Sequence, residues 1–252
     1  MPHTFPARIR VLSHLRQYPD ARRRLELPTT EVSLVVRSGG EVRLGAHDGT
    51  VGAAGAAGAV SGVEVLIEPW LAWQVFGRPV RELLGGDVPL SDLVGREGLD
   101  LEDALAAAER PEDRIRLLLV WLSRRRRAGP PTAIPVRNAW RALVGTHGRT
   151  RITDLVAASD WSAGTLRRRF AQQIGRPPKT TARILRLRHA ADLLADGMAA
   201  ADVAVSCGFH DQAHLGHETK ALIGLTPAEL TASHAADYHQ APQVPKSLQA
   251  RM

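Results

Sequence analysis

Two short stretches concentrate the side chains that could do chemistry. In the first, Arg167, Arg168 and Arg169 stand in a row inside Trp161-Ser162-Ala163-Gly164-Thr165-Leu166-Arg167-Arg168-Arg169-Phe170. A guanidinium can donate to guanine O6 and N7 together, a contact worth about 1–3 kcal/mol of discrimination between bases. In the second, His210, His214 and His217 recur at i, i+4 and i+7. On a helix that spacing puts three imidazoles on one face, where they could ligate a metal ion. No H-E-x-x-H pattern accompanies them. Arginines in a row also suit a solvated helix face, so the elements that carry both stretches decide between the readings.

Those elements form a duplicated unit. The chain matches itself at an offset of 49 residues: Val156 with Val205, Ser162 with Asp211, Leu166 with Leu215, Ile174 with Ile223, Gly175 with Gly224 and Pro178 with Pro227. Phe170 opposite Thr219 breaks the pattern. Each copy predicts a short helix (Ile152–Ala158, Ala201–Ser206), a tight turn, and a second helix. Ser162 and Asp211 are suited to N-capping the second helices, and Gly208 to a positive φ in the second turn. Helix, turn and helix is the arrangement whose second helix enters a DNA major groove.

At 100° per residue, Ala163, Leu166, Phe170 and Ile174 share an inward face of the first of these helices. Gly164, Thr165, Arg168 and Gln172 lie opposite, flanked by Arg167 and Arg169. In the second, Leu215, Leu222 and Ile223 face inward while His210, Ala213, His214 and His217 face outward. Between the copies, Thr181–Ala195 predicts an amphipathic helix with Ile184, Leu187, Ala191 and Leu194 near one face. From Thr180 to Asp196 it would span about 25 Å at 1.5 Å per residue. Such a connector could hold two reading helices on one side, for successive major grooves about 34 Å apart.

Charge agrees with a phosphate-bearing partner. Residues 1–110 hold 12 Lys and Arg against 15 Asp and Glu, and residues 111–252 hold 21 against 11. A basic half is the footprint of a nucleic-acid binder, though it would equally suit an anionic membrane surface. No run approaches the roughly 18 apolar residues of a membrane span, and no secretory signal is present, so a cytoplasmic protein is expected. A lone cysteine, Cys207, excludes an intrachain disulfide framework and a Cys-rich zinc site. It reads as a small core residue. With no G-x-x-x-x-G-K-[ST], no G-x-S-x-G and no reactive cysteine upstream, no enzyme activity and no cofactor are expected.

The first half reads as β-leaning, then helical. Glu31–Val36 and Val63–Ile67 predict strands, joined through the Ala/Gly-rich connection Val51–Val60. Trp70–Phe76 predicts a helix ending at Gly77. Ser91–Val94 predicts a short turn, and Leu101–Ala108 and Ile115–Leu122 predict amphipathic helices. Arg124–Arg127 leads into Gly129-Pro130-Pro131, which no helix crosses easily, and a domain boundary is expected near residue 130.

Residues 137–235 resemble the DNA-binding domain of the AraC/XylS family of bacterial transcription regulators. The resemblance is carried by Trp161-Ser162 with Leu166–Phe170, by Gly175-Arg176-Pro177-Pro178-Lys179, by Gly208-Phe209-His210-Asp211-Gln212-Ala213-His214-Leu215, and by Thr226-Pro227-Ala228-Glu229-Leu230. It implies seven helices, two helix-turn-helix motifs joined by a long helix, and sequence-specific promoter binding. By position, the family's base-facing slots fall on Gly164, Arg167 and Arg168, then on Gln212, Ala213, Gly216 and His217. Gly164 offers no side chain, and Gly216 and His217 replace the longer polar or basic residues common there. The second motif therefore either reads DNA weakly or mainly positions the backbone. A less specific similarity, over 62–95, is to a sensor-side segment of some actinobacterial-type members.

These readings combine into a mainly α protein with a smaller α+β N-terminal region. Residues 1–130 would sense or dimerise, 131–235 would form the seven-helix double helix-turn-helix domain, and 236–252 would be a disordered tail. Recognition helices are expected at about 162–173 and 211–222. The DNA-contacting set comprises Ser162, Gly164, Thr165, Arg167, Arg168, Arg169 and Lys179, with Asp211, Gln212, Ala213, His214, Gly216, His217 and Lys220 from the second motif. The expected partners are double-stranded promoter DNA and RNA polymerase, with a small-molecule effector at the N-terminal region and a homodimer as further implied partners, and no membrane. The rival reading is a non-specific DNA-binding or protein-docking module without effector response. That rival predicts steep salt dependence and little sequence preference.

Overall fold

The computed structural model describes residues 9–13, 27–45, 62–84 and 86–237. The Ala/Gly-rich segment 51–60 and the tail beyond residue 237 lie outside the described residues. Strands β1 (Ile9–Ser13), β2 (Val32–Arg37), β3 (Val42–Gly45), β4 (Gly62–Ile67) and β5 (Val88–Pro89) form an antiparallel sheet in the order β1-β4-β2-β3-β5. The two strands expected from sequence are β2 and β4, which pair with each other. The other three are too short or too irregular in pattern to announce themselves. Register aligns one apolar face, because Leu34 pairs with Leu44 and Val65, and Val36 with Val42 and Val63. That face, completed by Val32 and Ile67, is buried. On the opposite face Ser33 Oγ donates to Glu64 Oε1, and Arg43 pairs with Asp87 and Glu41.

Helices cover the apolar face. Helix α1 (Pro69–Phe76) ends at Gly77, whose φ of 63° provides the left-handed cap that its sequence suggested. A 3-10 turn (Val80–Leu83) and α2 (Leu90–Val94) follow, then α3 (Arg96–Ala107) and α4 (Pro111–Ala128). Both α3 and α4 begin earlier than their apolar pattern suggested, and α4 runs through the arginine cluster. Tertiary contacts explain the extension. Arg125 Nε donates to the Val75 carbonyl at 2.9 Å, and its Nη1 pairs with Glu97 at 2.6 Å. The guanidinium also lies over the Trp121 ring, as Arg126 does over Trp70. Two of the four arginines thus brace α4 against α1 and α3, while Arg124 and Arg127 are exposed. The helix stops at Gly129, where a Cβ would collide with the Gln74 carbonyl.

Seven helices follow: α5 (Ile134–Gly145), α6 (Ile152–Ala157), α7 (Ala163–Ile174), α8 (Pro178–Ala195), α9 (Ala200–Ser206), α10 (Gln212–Ile223) and α11 (Pro227–Asp237). Asp237 at the end of α11 shows that the described helix extends just past residue 236. The fold is mainly α, with one small antiparallel sheet at its N-terminal side.

The hydrophobic core does not divide at residue 130. One cluster runs from the sheet through α1, α3 and α4 into Val136, Trp140, Leu143, Leu155, Leu166, Phe170 and Ala182. A second cluster begins at Leu187 and contains Ala191, Val203, Cys207, Phe209, Leu215, Ile223 and Leu230. The change of core falls within α8. Polar links reinforce the first cluster across the Pro130-Pro131 segment. Thr132 Oγ1 donates to the Trp70 carbonyl at 3.2 Å, and the Ala133 N–H donates to Gln173 Oε1 at 3.0 Å. Gly175, at the end of α7, lies against Val80 and Leu84.

Candidate nucleic-acid interface

The first motif is built from α6 and α7. Ser162 has extended backbone, and its Oγ accepts from the Thr165 N–H at 3.3 Å while donating to Thr165 Oγ1. This satisfies a backbone donor that the helix itself leaves free. Gly175 closes α7 at φ 93°. Leu166, Phe170 and Ile174 are buried as expected, and Gln173 joins them. Ala163 is exposed instead of inward, because the first turn of α7 projects beyond the core. Gly164, Arg167, Arg168 and Arg169 are all exposed; Thr165 and Gln172 are half-buried. Arg169 donates to Gln172 Oε1 at 3.3 Å, which ties it to its own helix, whereas among the described residues Arg167 and Arg168 make no such side-chain bond. Lys179 is exposed in the first turn of α8.

The second motif repeats this frame at the same offset. Helices α7 and α10 correspond end to end, and Gly224 closes α10 at φ 75° as Gly175 closes α7. Asp211 Oδ1 accepts from the His214 N–H at 2.7 Å, and Oδ2 lies 3.1 Å from His210 Nδ1. The backbone bond from His214, then the His210 side chain, hold the Asp211 carboxyl below the usual range. One repeat match fails in packing: Val156 lies against the core, whereas Val205 is 74% exposed, while the preceding pair, Leu155 and Ala204, is buried in both copies.

Phe170 and Thr219 differ in volume, and the second core compensates from elsewhere. Thr219 is fully buried, with Oγ1 donating to the Leu215 carbonyl at 2.7 Å. Phe209, in the turn, supplies the aromatic ring of this cluster. His214 stands edge-on to that ring at 5.5 Å, and Arg186 lies over it at 5.3 Å. The His214 Nδ1 also accepts from the His210 N–H at 3.2 Å. His214 is therefore half-buried against the turn, not outward with His210 and His217. Among the described residues no group of three His, Cys, Asp or Glu is placed to hold a metal ion.

What α10 exposes is short: Gln212, Ala213, His217, Lys220 and Ala221, with Gly216 half-buried. Gln212, Ala213 and Gly216 form one wall of an open groove of about 760 Å³, whose other wall includes Met198, Pro227 and Thr231. Arg183 pairs with Glu218 at 2.8 Å and ties α8 to α10. Cys207 is buried, and that burial pushes its thiol up.

Residues 155–233 match the family model described as a helix-turn-helix domain. The match begins within α6, ends in α11 and contains most of the first motif, the connecting helix and the second motif. Residues 155–233 are a helix-turn-helix domain of the AraC type. No curated protein matches the chain. Among solved structures, the C-terminal domain of AraT, a response regulator from Geobacillus stearothermophilus, is similar at 18% identity. It covers 41% of this chain and 88% of that one, with a TM-score of 0.38. A probable AraC family transcriptional regulator from Rhodopseudomonas palustris CGA009 is 27% identical over 40% of this chain and 96% of its own, at 0.35. ToxT from Vibrio cholerae O395 is 8% identical over 90% of this chain and 97% of its own, at 0.41. Around the AraC-type domain, sequence reasoning missed Arg125, Arg183, Arg186 and Phe209. Only Phe209, an aromatic in a turn beside Gly208, carried a local signal for its role. Among the described residues, no helix is long and apolar enough to cross a membrane.

Proposed function

We propose that this chain is a transcription regulator that binds promoter DNA sequence-specifically, with α7 and α10 entering successive major grooves. The observation that carries the reading is the paired frame: two capped helices at one sequence offset, the first of them presenting exposed Arg167 and Arg168. Arg168 and Arg167 are the base readers. Ser162, Thr165, Arg169 and Lys179 position the first motif on the phosphate backbone.

The second motif is assigned a lighter reading role, supported by the short exposed set on α10 and by His214 lying against Phe209. Gln212 and His217 remain able to reach base edges. Asp211, Ala213, Gly216 and Lys220 shape the approach or meet phosphate.

Residues 131–235 are the DNA-binding unit in this reading, and 1–130 the unit that senses a small molecule or joins protomers. The first core cluster supports communication between them, because the sheet, α1 and α7 share it. Occupied DNA would then recruit or block RNA polymerase.

The test is selection of genomic fragments by the purified protein, followed by affinities for the best fragment and a scrambled control across salt concentrations. An affinity ratio of about 10³ or more is expected of a specific regulator. A ratio near one would leave a sequence-blind phosphate binder.

A further inference from the structure

The change of core inside α8 raises the question of what fixes one motif relative to the other. Besides α8 itself and the Arg183–Glu218 pair, the main link is the loop between α5 and α6. His147 stacks on His189 of α8, ring centroids 4.0 Å apart and planes 15° from parallel. Gly148, at φ 79°, is buried where a Cβ would collide with the Ala182 carbonyl, so the loop backbone rests directly on α8. Arg149 reaches across to the second motif: its Nη1 donates to the Ser206 carbonyl at 3.4 Å, and its aliphatic stem lies 3.5 Å from the Cβ position of Gly208.

Further contacts hold this elbow in place. Thr146 and Thr150 share a hydroxyl bond at 2.8 Å, and the Gly148 N–H donates to the Leu143 carbonyl at 2.7 Å. His147 has φ 50°, the only described non-glycine residue with a positive φ. Non-glycine residues seldom adopt that conformation, and histidine, with Asn and Asp, is among those that do so most readily. Here the conformation delivers the imidazole to its stack.

We propose that the His147–Arg149 elbow is the positioning joint of the two motifs, closed while His147 stacks on a neutral His189 ring and loosened when His189 takes up a proton. The groups facing His189 are His147 and Arg149 from the loop and Asp192 on its own helix. Burial lowers the His189 pKa, and His147 and then Arg149 lower it further against the opposing pull of Asp192. The sign follows. Closure is fully favoured above the ordinary imidazole value of about 6.5. It is lost as pH falls from there through the lower value that His189 has in the closed joint. The inference rests on both motifs acting together on DNA, but its test uses none.

Spin labels at Thr153→Cys on α6 and Ala221→Cys on α10, both exposed positions, report the distance between motifs while buried Cys207 stays in place. The expected result is one narrow distance distribution at about pH 7.5 that broadens reversibly at about pH 5.5. His189→Phe, which keeps a flat ring without a proton, should stay narrow at both. His147→Asn, which tolerates positive φ, should likewise lose the pH response. An unchanged distribution in the parent, or the same broadening in both variants, would overturn the proposal. Because no DNA is present, that failure is distinguishable from a failure to select specific fragments.

Discussion

The Trp140 indole N–H donates to Glu68 Oε1 at 3.1 Å, joining α5 to the residue that precedes α1. The bond spans the Gly129-Pro130-Pro131 segment and lies beside a core common to both sides. Trp140→Phe should therefore cost about 1.5–3 kcal/mol, the scale of a hydrogen bond to a charged acceptor. The loss should appear in the transition that melts the sheet and first motif together. Thermal unfolding followed by tryptophan fluorescence and far-ultraviolet circular dichroism checks this. Two separable transitions for residues 27–130 and the first motif would contradict it.

The two aromatic anchors should report two cores. Phe170 is fully buried in the first, and Phe209 belongs to the second. Phe170→Ala should cost about 3–5 kcal/mol and speed hydrogen exchange in α1, α5 and α7. Phe209→Ala should act mainly on α9, α10 and α11. Exchange mapped by mass spectrometry distinguishes the two patterns, and identical maps would show a single cooperative core.

The caps differ in their response to acid. Ser162→Ala should cost about 1 kcal/mol at any pH, since a hydroxyl does not titrate in the working range. Asp211 is held below its usual pKa by the His214 backbone bond and His210. Its contribution is present above the unfolded carboxylate value of about 3.9 and is lost as pH falls through the lower folded value. Asp211→Asn keeps an accepting oxygen and should remove that acid dependence. Urea unfolding at pH 3 and pH 6 for the parent and both variants measures the difference.

Gly148→Ala meets two obstacles, a left-handed φ and the Ala182 carbonyl. It should destabilise by at least about 1–3 kcal/mol, where an Ala at an ordinary helix position would help. Comparing chemical denaturation of Gly148→Ala with Gly164→Ala checks the site-specificity. A Cβ at Gly164 meets nothing within 4 Å, so that change should be neutral or stabilising.

The parts legible in the sequence were those that local chemistry dictates. Ser162 and Asp211 mark the starts of α7 and α10 because capping depends on the residue at the cap. The offset of 49 then identified the second motif from the first. What stayed hidden depends on partners far along the chain. Arg125 looked like part of a charged run, and only Val75 and Glu97 make it a brace. His214 looked outward on a helical wheel, but Phe209 and the His210 N–H draw it to the turn. The Pro-Gly segment near 130 breaks the helix without breaking the core, since Thr132 and Gln173 carry the packing past it.

Base reading by α7 is the claim on which the rest depends. The measurement that tests it most directly is the affinity of the parent, Arg168→Ala and Lys179→Ala for the selected fragment and for its single-base-pair variants. Arg168→Ala should lose affinity for the parent fragment and become indifferent to one or two neighbouring base pairs, worth about 1–3 kcal/mol of discrimination. Lys179→Ala should weaken every variant alike and flatten the salt dependence by about one unit of slope. Equal, sequence-blind losses in both variants would contradict the account.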